Sequence, residues 1–122
     1  MSASEVAIRE LDWYLRDHLF RQSNAGKITF SRDSLPQEMV TIYLRYRGED
    51  PQQLSETMMP VIQSLLARNV VEQNGDELKL GGMLSRLQCA KCFYINYLND
   101  FEPRACMRCQ HGELREFPKR KA

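Results

Sequence analysis

The chain has 122 residues, of which 43% are apolar and 27% charged, with a formal net charge of +1; these are the proportions of one ordinary globular domain, or a small domain with a minimal appendage. No low-complexity run or fixed-period repeat is present, which excludes fibrous and solenoid architectures, and no stretch approaches the roughly 20 apolar residues that cross a bilayer. The amino terminus, MSASEVAIRE, carries acids and the start of a helical pattern in place of a basic region followed by an apolar run, so the sequence predicts a soluble, cytoplasmic protein with no membrane partner.

Ser2-x-x-Glu5 has the form of a capping box, and behind it Ile8, Leu11, Leu15 and Leu19 recur every three or four residues, with Glu10, Asp12, Arg16 and Asp17 between them. This pattern predicts an amphipathic first helix ending near Gln22, with His18 on its surface. Trp13, Tyr14 and Phe20 flank the apolar stripe and would serve a homodimer contact. Ser23-Asn24-Ala25-Gly26 supplies a stop and a turn, and residues 27–30 alternate like a short strand. Residues 35–46, with Met39, Ile42, Tyr43 and Tyr46 at helical spacing, read as a second helix closed by Gly48.

A third helix opens at Pro51, a residue favoured at the first helical position, and runs through Leu54, Met58, Val61, Ile62, Leu65 and Leu66 to about Arg68. Pro60 lies inside it and removes a backbone donor, so a kink or two abutting helices are expected there. In NVVEQNGDELKL an Asn74-Gly75 turn separates two apolar-containing runs; a two-residue loop there pairs Gln73 with Asp76 and Val71 with Leu78.

Helix, short strand, helix, helix and hairpin is the element order of a winged-helix domain, and residues 5–81 resemble one. The resemblance implies a recognition surface on residues 51–68 and 73–77. The chain departs from the DNA-binding version of that pattern. Its third helix has one cation, Arg68, at the far end, its early polar positions are Gln52, Gln53, Ser55, Glu56 and Thr57, and Glu72, Asp76 and Glu77 surround the wing. Phosphates need cations, so an acidic unit of this kind suits protein contacts better.

The four cysteines of the chain form the frame CxxC-x13-CxxC: Cys89, Cys92, Cys106 and Cys109. Each CxxC lets two thiolates on one tight turn bind the same ion at about 2.3 Å, and two such turns complete a tetrahedron. Structural Zn2+ is the expected occupant. A segment of some forty residues needs such a staple to hold a core. Residues 87–117 resemble a zinc ribbon, two CxxC knuckles joined by a β-hairpin, which implies that the aromatic segment FYINYLNDFEP runs along that hairpin with Phe93, Ile95 and Tyr97 on one face and Tyr94, Asn96 and Leu98 on the other. Ribbon knuckles commonly carry glycine directly after the second cysteine; Phe93 and Gln110 stand there, so the knuckle turns are expected to differ. The missing glycines also count against a rubredoxin-like iron site. A thiol–disulfide oxidoreductase would need a βαβ setting that is not visible, and disulfides are disfavoured in the cytosol. His111 is expected in an exposed loop and outside the ligand set.

Charge is divided unevenly at Gly81-Gly82. Residues 1–81 hold nine Lys/Arg against twelve Asp/Glu, a net −3, and residues 82–122 hold eight against four, a net +4. Lys91, Arg104, Arg108, Arg115 and the tail Lys119-Arg120-Lys121 are candidates for phosphate contact, with Tyr94 as a stacking platform. No paired carboxylates with a histidine, no Ser/His/Asp set and no glycine-rich phosphate loop are present, so no enzymatic activity is expected. The sequence therefore predicts an α+β protein in two parts: a winged-helix-like domain over 1–81 and a zinc-ribbon-like module with a basic tail over 82–122. Its expected role is regulatory or accessory in DNA or RNA transactions such as transcription or replication. The alternative is an adaptor subunit that binds another protein through the acidic first surface or the apolar ribbon face.

Overall fold

The computed structural model describes residues 3–117, and the basic positions Lys119, Arg120 and Lys121 lie outside them, as does Ser2 of the proposed capping box. Within these residues the chain is a mixed α+β structure of three α-helices and two small antiparallel sheets of three strands each. No described helix is long and apolar enough to cross a membrane.

Helix α1 (Ala3–Asn24) buries Leu11, Leu15 and Leu19, the stripe that its spacing predicts. They meet Leu54, Met58, Val61, Ile62 and Leu65 of α3 (Pro51–Ala67) and Leu35 and Met39 of α2 (Leu35–Ile42). A fully buried side chain of this kind contributes about 1.5–3 kcal/mol, so this cluster supplies most of the driving force for folding. Asp50 caps α3 by accepting from the Gln52 N–H at 3.0 Å, and Pro51 follows at the first helical position, where its missing donor costs nothing.

Two sequence expectations about the helices are corrected. The second helix does not reach Tyr46: it ends at Ile42, Tyr43 is extended (φ −99°, ψ 126°), and a short 3-10 turn follows at Leu44–Tyr46. Thr41 Oγ1 donates back to the Gln37 carbonyl at 2.7 Å, a local bond that competes with helix continuation, and leaving the helix lets the Tyr43 hydroxyl reach Asp17 Oδ2 at 2.6 Å. At Pro60 the third helix is one continuous helix and not two abutting ones. Pro60 and Glu56, whose carbonyl it leaves without a donor, are both exposed, so water can satisfy that carbonyl.

The first sheet has the order β1-β3-β2, with β1 (Thr29–Ser31), β2 (Val71–Asn74) and β3 (Glu77–Leu80). The hairpin forms, but its register is shifted by two residues from the expected one: Val71 faces Leu80, Gln73 faces Leu78 and Asn74 faces Glu77. The loop is therefore Gly75-Asp76, with Gly75 first at φ +63°, the glycine-first form of a two-residue hairpin. A shift of two keeps each side chain on its face; it pairs the buried Val71 with the buried Leu80 and lets Phe30 of β1 face Leu78 from the other side.

The second sheet has the order β5-β4-β6, with β4 (Ser85–Cys89) in the centre, β5 (Ile95–Leu98) and β6 (Leu114–Glu116). The passage between the sheets is tight. A Cβ at Gly81 would stand 2.5 Å from the Asn69 carbonyl oxygen, and the Gly81 N–H donates to the Val70 carbonyl at 2.9 Å, so no larger residue fits without moving the backbone. Leu84, just beyond it, is buried in the main core.

Candidate metal centre

The two CxxC turns close in the same way. At the end of β4 the Cys89 N–H donates to the Tyr94 carbonyl at 2.9 Å and the Phe93 N–H donates back to the Cys89 carbonyl at 3.0 Å; in the second turn the Cys106 N–H donates to the His111 carbonyl at 2.9 Å and the Gln110 N–H to the Cys106 carbonyl at 2.9 Å. Strand β6 returns the second turn to the first, pairing Leu114 with Cys89. The expected hairpin between the knuckles is thus replaced by one around the first: β4 and β5 flank that turn, and β6 leaves the second turn and pairs with β4. Of the linking segment only Ile95–Leu98 is strand.

The residue after the second cysteine of each turn is left-handed, with φ 65° at Phe93 and φ 68° at Gln110. The expectation that the turns would differ for want of glycine is corrected. The repeated hydrogen bonds impose the glycine-type conformation on side chains that resist it, at a cost of about 1–2 kcal/mol each.

The four Sγ atoms converge. Cys89 and Cys109 are 3.5 Å apart, Cys92 and Cys106 3.6 Å, and all four lie within 4.8 Å of one another. Tetrahedral Zn–S bonds of about 2.3 Å require S···S edges of about 3.8 Å, so the spacing fits one ion shared by all four thiolates. Cys89 and Cys106 are buried, Cys92 and Cys109 partly exposed, and none is in a disulfide.

The protein environment prepares the sulfurs for a cation. At Cys106 burial works to raise the thiol pKa, but the Cys109 N–H, the Asn96 amide and the Arg108 N–H outweigh it and hold the thiol down at about 6. Cys89 is also lowered: burial opposes ionisation, but the N–H groups of Cys92 and Lys91 prevail, at 3.4 and 3.3 Å from its Sγ. Cys92 is pushed up to about 11, because the Tyr94 N–H that would lower it is outweighed by burial and the neighbouring sulfurs. Crowded thiols cannot all ionise without a positive charge among them. Asn96, almost fully buried, donates to Cys106 Sγ at 3.6 Å and accepts from the Met107 N–H at 2.9 Å, a support of the kind that orients metal ligands. His111 is partly exposed and belongs to no four-ligand cluster among the described residues.

Helix α1 packs on β5 and the segment that follows it, a contact the sequence pattern hid. Arg16 is 1% exposed; it donates to both Glu102 oxygens at 2.8 Å, to the Tyr97 carbonyl at 2.6 Å and to Asp12 at 3.0 Å. Glu102 also accepts from the Asn99 N–H at 3.2 Å and pairs with Arg68 at 3.4 Å. Asp17 accepts from the hydroxyls of Tyr97 and Tyr43 and from Arg21. His18 is buried beside Glu38 at 3.2 Å, which corrects its assignment to the helix surface; burial lowers its pKa against the pull of Glu38. Trp13 donates to the Ile95 carbonyl at 2.7 Å, Phe20 packs on Tyr97, and Tyr14 packs on Tyr43 and Tyr46. The rings proposed for a dimer contact are engaged within the chain.

The proposed nucleic-acid residues divide into groups. Lys91 and Arg108 occupy the third position of their CxxC turns, both exposed, and the Arg108 guanidinium lies 6.0 Å from the centroid of the half-buried Tyr94 ring. Arg104 is exposed, and Arg115 is exposed and paired with Glu113 at 2.8 Å. The aromatic segment is not an open platform: Asn96, Tyr97 and Leu98 are buried, and Phe93, turned out by its left-handed backbone, is 67% exposed. No family model, curated protein or solved structure matches this chain.

Proposed function

We propose that the chain is a non-enzymatic, zinc-stabilised regulatory or accessory protein of nucleic-acid transactions, with a winged-helix-like unit over residues 1–81 and a zinc-ribbon-like module over residues 82–122. The element order and the β1-β3-β2 sheet support the first likeness, and the two matched CxxC turns support the second. Cys89, Cys92, Cys106 and Cys109 would hold Zn2+, and four thiolates leave no open coordination position, so the ion is structural.

The observation that carries the reading is the placement of exposed Lys91 and Arg108 at equivalent points of two turns closed by the same hydrogen bonds, with Arg108 beside Tyr94. Cations on fixed backbone contact phosphate with little ordering cost, and an adjacent ring offers a face to a base. Arg104, Arg115 and the tail residues Lys119, Arg120 and Lys121 would extend that contact to DNA or RNA. The third helix is poorly suited to it, since Arg68 is tied to Glu102 and the hairpin carries exposed Glu72, Asp76 and Glu77. The adaptor reading draws on the exposure of Phe93 (67%) and Phe101 (66%), rings that a protein partner would cover.

A Lys91→Gln/Arg104→Gln/Arg115→Gln variant tests the basic face. Zinc-loaded, it should bind nucleic acid at least about tenfold more weakly than the wild type near 0.1 M salt. Equal affinity would remove Lys91, Arg104 and Arg115 from the site, and a wild type that binds no nucleic acid but captures a defined protein in a Phe93- and Phe101-dependent way would install the adaptor reading.

A further inference from the structure

Between α1 and the metal centre lies a cleft of about 730 Å³, within the size range of small-ligand sites. Trp13 stands on its helical wall, Tyr94 on the wall formed by the first CxxC turn, and Arg9, Arg68 and Arg108 reach it from three different segments. Its charges do not cancel. Asp12 is bound to Arg16, Glu10 to Arg45, and Arg16 and Arg68 to Glu102. Among the described residues no ion pair involves Arg9 or Arg108, so the charge left over is positive and sits at the mouth, next to two aromatic rings.

An anionic group joined to a flat aromatic one satisfies both features. A bare phosphate would leave the rings unused, and an apolar ligand would have to desolvate the guanidinium groups without return. A base stacked within a duplex cannot enter a cleft walled on both sides, whereas an unpaired base can turn out of its strand into it. We infer that this cleft holds one nucleotide unit of a single-stranded nucleic acid, its base lying against Tyr94 and Trp13 and its phosphates on Arg9 and Arg108. The inference rests on the nucleic-acid reading above and deepens it: Arg9 and Trp13, far from the cysteines in sequence, join the site, and single strands are preferred over duplex.

Trp13 is the only tryptophan of the chain, so its emission reports on the cleft. The experiment titrates the zinc-loaded full chain with a labelled single-stranded oligonucleotide, the same sequence as duplex, adenosine 5′-monophosphate and inorganic phosphate, following anisotropy and Trp13 emission together. The single strand should bind at least about tenfold more tightly than the duplex and change Trp13 emission. Arg9→Glu, at an exposed position, should weaken it about tenfold or more, and Arg9→Gln should lower the salt slope by about one contact. Tyr94→Leu leaves the backbone bonds of the turn in place and should weaken binding between about fivefold and about a hundredfold.

Strand binding that ignores Arg9→Glu and Tyr94→Leu and leaves Trp13 emission unchanged overturns the inference while the nucleic-acid reading stands, and equal affinity for duplex overturns the single-strand preference. Adenosine monophosphate quenching Trp13 in an Arg9-dependent way without any polymer binding keeps the cleft as a nucleotide site and defeats the wider reading. Binding by none of these ligands defeats both.

Discussion

Replacing Glu102 by Gln keeps the shape of the side chain and an acceptor for the Asn99 N–H but removes the charge that faces Arg16. Both side chains are nearly sealed from water, at 2% and 1% exposure, and among the described residues the other carboxylate on Arg16 is Asp12, 17% exposed and on one guanidinium edge. Stranding a buried charge costs about 3–5 kcal/mol; Asp12 and the Tyr97 carbonyl retain part of the compensation, so the cost is set near the lower end, about 3 kcal/mol. For a chain of this size that corresponds to a fall in Tm of about 12 °C. The assay is thermal and urea unfolding of zinc-loaded wild type, Arg16→Met, Glu102→Gln and the double variant, with a coupling energy of about 2 kcal/mol expected from the cycle. The carboxyl of Glu102 is burdened by burial, yet Arg16, the Asn99 N–H and Arg68 hold it below its ordinary 4.5. A depressed folded-state pKa gives stability that is full above about pH 4.5 and is lost as pH falls through the folded value, so the wild-type advantage over Glu102→Gln should shrink with acid in that window. A Glu102→Gln protein within about 0.5 kcal/mol of the wild type, or strictly additive single effects, would refute this view of the contact between α1 and the metal module.

Cys89→Ser should release the metal and, because Tyr97 and Glu102 satisfy Asp17 and Arg16 on α1, also lower hydrogen-exchange protection in the middle of that helix; metal analysis showing zinc at full stoichiometry would prove the ligand set wrong. Phe93→Gly and Gln110→Gly should leave stability unchanged or raise it by up to about 1 kcal/mol each, the relief of left-handed strain being partly offset by glycine's entropy in the unfolded chain, whereas Gln110→Val should cost about 1–2 kcal/mol in urea unfolding. The His18 pKa is lowered in the fold by burial from its ordinary 6.5, so its contribution is full above about pH 6.5 and lost as pH falls below it; denaturant unfolding between pH 7.5 and 5.5 should show a decline that His18→Gln reduces.

The elements that build the main core were legible because each shows its apolar stripe at regular spacing: Leu11, Leu15 and Leu19 announce α1, and the cysteine frame announces a cluster of four sulfurs. The same periodic logic failed at Arg16, Asp17 and His18. It assigns charged residues between apolar ones to solvent, but α1 packs on α3 along one side and on β5 along another, and the second contact is polar. Its partners, Tyr97 and Glu102, lie some eighty residues away in sequence, and nothing local marks them. Strand β4 was missed because Ser85-Arg86-Leu87-Gln88-Cys89 has little strand propensity and its partners β5 and β6 each lie beyond a CxxC turn. The hairpin register depended on which two residues formed the loop, and Asn74-Gly75 and Gly75-Asp76 are both acceptable turns, each of which pairs Val71 with a buried leucine.

The most direct measurement is fluorescence anisotropy of the zinc-loaded and metal-stripped chain with single-stranded DNA, duplex DNA and single-stranded RNA at two salt concentrations. A metal-dependent, salt-sensitive affinity in the micromolar range or tighter, with a log–log slope of about −2 to −4 as three to five cations meet a single strand, is the expected result. Absence of binding to all three polymers, or binding that neither salt nor removal of the metal alters, would contradict a basic, zinc-held nucleic-acid surface.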